Sequence, residues 1–572
     1  MKRMPALFLS TLSAALLVSV FPALSLHSLA WVALGPVLIV IRTGSRSMAA
    51  VSSLLAGYLF FAVHLKWGLE LEDFNRYNYA VGLLGFSWYF GVFGFAAHYC
   101  QRKAPRWNVL IFPCLWAVLE YVRSHIGFLS ITWGILGYSQ YSVLPVARIS
   151  RITGVYGVSF LIVAVNAVLA EGVLSVLPLG NRARDREAAI RPAPDRKIHG
   201  IVFASLFVLF SVFSLLSSDR AGNRNPSLNV ALVQGNIYME DSTNRDKSDH
   251  VFEVYQRLTR AVFPSRPDLI IWPSSSIPGT IPYESDWVVK LGNLARESTA
   301  YLLIGSSGFD KFNPEQRKVR RLANSAFLFS PEGKIIGKYD KIRLLPFDEY
   351  VPLRGIIRWP SWVVSPDMLD HYPGKELTVF RTDKSRFGVL ICWENMFPDM
   401  FRELSAKGVD FMVEMTNEGW THSLIGHQQM LPMYIFRAIE NHVSIARTAS
   451  TGMSGIISPD GEILGRVQGP DGKDVDVQGW FAGQIPLSSQ RTFYTRYGDC
   501  FVFGLAIILC CFFVAIGIPT SFFKGDGKGG GYEKENVPVV FGGFPDRDGI
   551  DRIRFRGQRR GAAERRLERI VG

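Results

Sequence analysis

Long apolar stretches, each able to cross a bilayer as a helix, constrain this chain more than any other feature. From Met4 to Ile41 the only ionisable side chain is His27, and Pro22 stands where the run can fold back on itself. A helical span needs roughly 17–25 apolar residues, so this run holds two. Further spans are expected at Ser47–Val63, Tyr79–Tyr99, Trp107–Leu119 extended by a turn, Gly154–Leu177, Ile201–Ser217 and the uncharged Phe501–Phe523. That makes about eight spans. The first 26 residues do not read as a cleaved leader, because apolar spans follow with no polar mature start. Only 19% of the 572 residues are charged, against about 25% in soluble domains, and mean hydropathy is +0.16. Six cysteines without a CxxC pair exclude a disulfide scaffold and a zinc ribbon.

Lys and Arg in the connecting loops set the expected orientation. With Lys2 and Arg3 on the cytoplasmic side, the loops there carry Arg42 and Arg46, then Arg102, Lys103 and Arg106, then Arg182, Arg184, Arg186, Arg191, Arg196 and Lys197. The tail beyond Phe523 adds three Lys and nine Arg, so these segments account for the formal charge of +13. The basic balance is therefore a topology signal, and no nucleic-acid partner is expected. The division that follows is a membrane domain at 1–217, an exported domain at 218–498, a last span at 499–523 and a basic tail at 524–572. The tail, Gly-rich at its start, reads as a solvated and largely disordered cytoplasmic segment.

The exported block is long enough for a full core. Strand-like runs recur at Asn229–Val233, Asp268–Trp272, Tyr301–Gly305, Ser325–Phe329, Gly388–Ile391, Asp410–Met415, Val443–Thr448 and Gly455–Ser458. Helix-like stretches lie between them at Asp249–Val262, Trp287–Ser298 and His427–His442, and Pro-Glu-Gly at 331–333 and Pro-Asp-Gly at 459–461 mark hairpins. Alternating strands and helices predict a layered α/β sandwich. Cys392 is the one cysteine well inside this block. It ends an apolar strand and precedes Trp393-Glu394-Asn395, the context of a nucleophile on a strand-to-helix turn with backbone N–H groups at hand for an oxyanion.

The motifs around that thiol resemble the nitrilase superfamily, and together with the spans they resemble its apolipoprotein N-acyltransferase family. They are Leu232-Val-Gln-Gly-Asn-Ile237, Ile270-Ile-Trp-Pro273, Lys338-Tyr-Asp-Lys341, Pro346-Phe-Asp-Glu-Tyr-Val-Pro352, Cys392-Trp-Glu394 and Thr416-Asn-Glu-Gly-Trp420. In the membrane part, Leu115–Arg123 and Gly137-Tyr-Ser-Gln140 join them. The resemblance implies an α/β/β/α sandwich and a Glu–Lys–Cys triad, with Cys392 as nucleophile and Lys341 as the lysine. An ammonium beside the thiol favours thiolate and stabilises a tetrahedral oxyanion. Glu349 and Glu394 match further acidic residues of the family's site, with roles as orienting groups or loop caps. Trp393 and Trp420 belong to the same motifs and are expected at the substrate.

One position departs from the pattern. The family's general base is the Glu directly after Trp-Pro, and here Ser274 follows Pro273. Loss of a general base costs roughly 10²–10⁴ in rate. Glu349, Glu394 or Glu284 is a candidate replacement, or Lys341 and a water support slow turnover; the remaining reading is a non-catalytic lipid-binding paralogue. Thr243 stands where the family has a loop tryptophan. After Glu349 the apolar, proline-broken segment with Ile356, Ile357, Trp359, Trp362 and Val363 suits a membrane-facing arm that guides acyl chains. Glu120 and Arg123, three apart on one helical face, suggest an intramembrane ion pair, and Tyr138 and Gln140 are candidate headgroup contacts.

The activity the resemblance implies is transfer of an acyl chain from a membrane phospholipid, through a Cys392 thioester, to the N-terminal amine of a diacylglyceryl-cysteine apolipoprotein at the bacterial inner membrane. A tethered amidase and a transporter are weaker alternatives. The amidase leaves the arm and spans without a purpose, and no paired Gly/Pro-broken spans argue for transport. Metal and nucleotide signatures are absent, so no cofactor is expected.

Overall fold

The computed structural model describes residues 3–70, 76–176, 226–281, 285–309, 312–313, 318–319, 322–365, 368–488 and 490–517. The expected span Ile201–Ser217, Glu284 and the basic tail lie outside them.

The first part is a bundle of apolar helices: α1 (Arg3–Ser19), α2 (Gly35–Thr43), α3 (Arg46–His64), α4 (Arg76–Lys103), α5 (Asn108–His125) and α6 (Val155–Val176). Ser45 caps α3 by accepting from the Met48 N–H at 3.3 Å, satisfying a donor the helix itself cannot. Among the described residues, α3, α4, α6 and the late helix Cys500–Gly517 are long and apolar enough to cross a membrane. Met4–Ser19 and His27–Thr43 form shorter apolar helices. Helices α3 and α4 approach closely because small residues meet there. A Cβ on Gly94 would overlap the Ala49 carbonyl, and one on Gly57 would strike the Phe90 ring.

The second part is a sandwich of two six-stranded sheets. The strands are β1 (Ser227–Gln234), β2 (Leu269–Ile271), β3 (Tyr301–Phe309), β4 (Leu322–Phe329), β5 (Ile335–Asp340), β6 (Val379–Arg381), β7 (Arg386–Ile391), β8 (Phe411–Thr416), β9 (Ser444–Ala449), β10 (Gly455–Ile457), β11 (Ile463–Arg466) and β12 (Gly479–Pro486). One sheet runs β12-β1-β2-β3-β4-β5 and the other β11-β10-β9-β8-β7-β6. Alternation along β1 separates the layers. Leu228, Val230 and Leu232 share one cluster with Phe387, Val389 and Phe411 of the other sheet. Ala231 and Val233 instead join Val251, Tyr255, Leu291 and Leu294 from helices α7 (Ser248–Val262) and α8 (Ser285–Ser298). Helices α9 (Pro398–Ala406) and α10 (Leu431–Asn441) contribute Phe401, Leu404, Ile435 and Phe436 to the first cluster, which runs on without a break into the apolar bundle. Deleting a side chain such as Leu390 from this interior costs about 2–5 kcal/mol.

Both marked hairpins form, β4–β5 and β10–β11, each antiparallel. The stretch His427–His442 divides into a short helix, Leu424–Gln428, and α10, which starts with Pro432 in its first turn. The expected Glu120–Arg123 ion pair does not form. Glu120 accepts from the Leu136 N–H at 2.8 Å, and Arg123 donates to the Trp133 carbonyl at 2.8 Å. Glu120 thus satisfies the N–H that opens the 3-10 helix Leu136–Gln140, and Arg123 satisfies a carbonyl in the buried turn before it.

Candidate active site

Parallel pairing of β7 with β8 places Met415 beside Ile391, so Cys392, just after β7, and Thr416, the last residue of β8, emerge together. Cys392 adopts φ 52°, in the left-handed region. For a non-glycine residue such a conformation costs of order 1–3 kcal/mol and persists where the surroundings fix it. Here Asn395 Nδ2 donates to the Cys392 carbonyl at 2.9 Å, and the neighbouring Thr416 side chain pulls the thiol down.

Lys341 follows β5 on the other sheet and is buried. Its Nζ lies 2.8 Å from Glu349 Oε1 and 2.7 Å from Oε2. Glu349 Oε2 also accepts from the Leu345 N–H at 2.8 Å. Burial alone would raise the Glu349 carboxyl, but the adjacent Lys341 ammonium more than offsets it and holds the group below the usual carboxylate range. Burial alone would lower Lys341, yet Glu349, then Cys392, keep its ammonium above the ordinary value. Burial pushes the Cys392 thiol up, Lys341 pulls it down and Glu349 pushes it up again, for a net rise. The resting sulfur is therefore a thiol facing a permanent cation.

Glu394 is differently placed. It accepts from Tyr339 Oη at 2.8 and 2.9 Å and from the N–H groups of Ile342 at 2.6 Å, Arg343 at 3.0 Å and Ile391 at 2.9 Å. It ties the strand before Cys392 to the turn after Lys341, setting the two reactive side chains against each other. Burial raises its carboxyl despite these donors.

A cavity of about 540 Å³ opens beside this pair. Ile342, Arg343, Tyr350, His371 and Trp393 line it from the sandwich, and Ser124, His125 and Phe128 from the end of α5 and the segment beyond it. The bundle thus supplies one wall of the site. Phe347 packs edge-on between Phe128 and Trp359, at 6.4 and 5.0 Å. Trp359 Nε1 donates to the Pro352 carbonyl at 2.7 Å. Beyond it Ile356 is 81% and Trp362 53% exposed, too much for core packing. Trp420 stands 5.5 Å from Trp67 of the bundle, and Gln429 accepts from Trp67 Nε1 at 2.9 Å and Trp133 Nε1 at 3.0 Å.

Cys392, Lys341, Glu349, Glu394 and Trp393 thus converge. Ser274 is buried after β2, where a Cβ on Gly305 would overlap its Cα. No hydrogen bond among the described residues joins its hydroxyl to the Lys341–Cys392 cluster. Tyr138 and Gln140 do not line the cavity. Tyr138 packs on Phe436 at 5.4 Å, and Gln140 donates to the His27 carbonyl at 3.0 Å. Sequence reasoning passed over Asn395 and Thr416. Both stand within quoted motifs or directly beside one, where only the turn geometry reveals a role.

Residues 13–168 match the family described as apolipoprotein N-acyltransferase N-terminal domain, and residues 229–477 match carbon-nitrogen hydrolase. A protein of Geobacter metallireducens named apolipoprotein N-acyltransferase is 31% identical over 514 residues, covering 87% of this chain and 94% of its own length. Apolipoprotein N-acyltransferase 2 of Treponema denticola is 26% identical over 495 residues, covering 82% and 88%. Apolipoprotein N-acyltransferase of Pasteurella multocida is 25% identical over 519 residues, covering 89% of this chain and 95% of its own length.

Proposed function

The chain belongs to the apolipoprotein N-acyltransferase family, a membrane branch of the carbon–nitrogen hydrolases, and on that footing we propose how its own residues carry out the acyl transfer. It is an acyltransferase with a cysteine nucleophile, and its reaction is N-acylation of lipoproteins. The acyl donor is a membrane phospholipid. The Cys392 sulfur attacks an ester carbonyl of that lipid, forming the C–S bond. Collapse of the tetrahedral adduct breaks the C–O bond, and the thiol proton ends on the departing lysophospholipid oxygen. The α-amine of a diacylglyceryl-cysteine apolipoprotein then attacks the thioester, giving the amide and restoring the thiol. Two such steps are each easier than one direct transfer.

Lys341 stabilises the oxyanion of both adducts, Glu349 keeps it charged and aimed, and Glu394 sets its distance from the sulfur. Trp393 lies along the reacting chain, and Ile356, Trp359 and Trp362 lead acyl chains in from the bilayer. The single observation that carries this reading is the cavity of about 540 Å³ walled jointly by Ile342 and Trp393, the residues that directly follow Lys341 and Cys392, and by the end of an apolar helix. A lipid ester can reach the thiol from that side without leaving the membrane boundary. The loop charges support a site on the periplasmic side of the inner membrane, with about eight spans and cytoplasmic termini. With Ser274 where a carboxylate is expected, and with Glu349 and Glu394 committed to other donors, thiol deprotonation limits the first step.

The test is peptide mass spectrometry after incubation with phosphatidylethanolamine. An acyl adduct on Cys392 that disappears when a diacylglyceryl peptide with a free amine is added supports the reading. A stable adduct on another residue, or none in either parent or Ser274→Glu, overturns it.

A further inference from the structure

A buried carboxyl that this mechanism leaves unused stands one hydrogen-bonded residue away from the turn that carries the thiol. Glu414 is on β8, opposite Leu390 of β7 and Arg447 of β9. Side chains alternate along a strand, so Glu414 shares a face with Thr416, whose side chain pulls the thiol down. Asn395 Nδ2 donates both to the Cys392 carbonyl, at 2.9 Å, and to Glu414 Oε1. On its other side Glu414 Oε2 stands 2.9 Å from Arg447 Nε. Glu414 and Asn395 are both completely buried.

Every charged or titratable neighbour of Glu414 belongs to one enclosed cluster. Arg447 also pairs with Glu418 and lies over the Tyr434 ring, 4.4 Å from its centre. His427 Nδ1 is 2.9 Å from Glu418 Oε2. Two carboxyls thus share one guanidinium, and Glu418 has His427 in addition. Burial alone would raise the Glu418 carboxyl, but Arg447 and His427 together more than offset it and leave it below its ordinary value. Burial dominates at Glu414, Arg447 only partly offsets it, and Glu418 adds to it; the carboxyl is pushed up to about 8. Ionised, it would also act on the Cys392 thiol as a like charge and raise it further.

We propose that Glu414 is a positioning residue for the nucleophile: through Asn395 it holds the Cys392 carbonyl, and with it the left-handed turn that presents the sulfur to Lys341. The uncharged carboxyl is the working form, because it supplies the acceptor for Asn395 without placing an anion near the thiol. This rests on the reading of Cys392 as the nucleophile.

The experiment compares the full-length parent with Glu414→Gln, Glu414→Leu, Asn395→Leu and the double leucine variant, in detergent. Site-resolved alkylation of Cys392 by a maleimide is followed against pH, alongside the single-turnover rate of acyl-adduct formation. Glu414→Gln keeps the acceptor and removes the charge. Its alkylation midpoint is expected at lower pH than the parent's, with an adduct rate at pH 7 within about threefold. Each leucine variant is expected to slow adduct formation roughly tenfold or more without changing half-saturation by phospholipid. The double variant is expected to be no slower than the worse single, as for groups acting in one chain. A Glu414→Gln profile that overlays the parent's overturns the inference, as does a double-variant loss equal to the product of the singles. If the leucine variants fail to fold, the glutamine profile alone decides. A lowered Glu414→Gln midpoint beside a parent that forms no adduct would sink the acyl-transfer reading while supporting this one.

Discussion

The two sides of the Cys392 site are built to different standards. On the Lys341 side the groups hold one another: Lys341 is paired with Glu349, Glu349 with Lys341 and the Leu345 N–H, and Glu394 accepts five hydrogen bonds from Tyr339, Ile342, Arg343 and Ile391. On the Ser274 side, where the proposed reading needs a base, the side chain is buried, and among the described residues no hydrogen bond joins its hydroxyl to the cluster. The first side stabilises negative charge as it develops, which needs fixed donors and no proton movement. The second side is where a proton would be taken. The contrast teaches that oxyanion stabilisation and proton transfer are separable in this fold, and that only the former is fully furnished here.

Variants break or sharpen that contrast, starting with the largest effect. Cys392→Ala is expected to abolish the acyl adduct altogether in peptide mass spectrometry. Lys341→Met, which removes the cation and leaves Glu349 buried without its partner, should lower the single-turnover rate roughly 10²–10³-fold, with Lys341→Arg recovering only part. Ser274→Glu should raise the same rate roughly tenfold or more by restoring a base. An unchanged rate in that variant would mean that proton removal is not limiting.

Smaller effects come from the groups that position and guide. Because Glu349 is held below the carboxylate range in the folded protein, its contribution to stability is complete above the unfolded value of about 4.3. It is lost as pH falls through the lower folded value. The parent should therefore melt well above Glu349→Gln at pH 7, with the gap closing under strong acid; a constant gap across that range would contradict the pairing. Ile356→Ser with Trp362→Ser should raise the phospholipid concentration giving half-maximal rate about threefold or more while sparing the maximal rate. The same change in the maximal rate instead would argue against an arm that only guides substrate.

Much of this was legible in the sequence because it rests on local signals. The buried strands β1, β2, β3, β4, β7, β8, β9 and β10 coincide with apolar, β-branched runs, and both hairpins carry Pro-X-Gly turns. Strands β5 and β11 were anticipated only as second arms of the two hairpins, and β6 and β12 escaped notice, because each is short or partly exposed. Ile463 and Leu464 of β11 point outward, and β12 pairs with β1 across eight positions although most of its length is only half-buried. Such edge strands are specified by their partners and not by their own pattern. In the site, Cys392, Lys341 and Glu349 were recognisable as residue types in motifs. The roles of Asn395, Thr416 and Glu414 depend on the register of β7, β8 and β9, which no single segment encodes. Glu120 and Arg123 show the converse: helical spacing placed them correctly on one face, but backbone groups at Trp133 and Leu136 compete for each charge and win.

The account stands most directly on one covalent bond. Intact-protein and peptide mass spectrometry of the full chain with phosphatidylethanolamine, beside Cys392→Ala and Ser274→Glu, measures it. The account predicts a slowly forming acyl thioester on Cys392 in the parent, more of it in Ser274→Glu, none in Cys392→Ala, and its discharge onto a diacylglyceryl peptide amine. Acyl transfer to that peptide by the Cys392→Ala protein would contradict it.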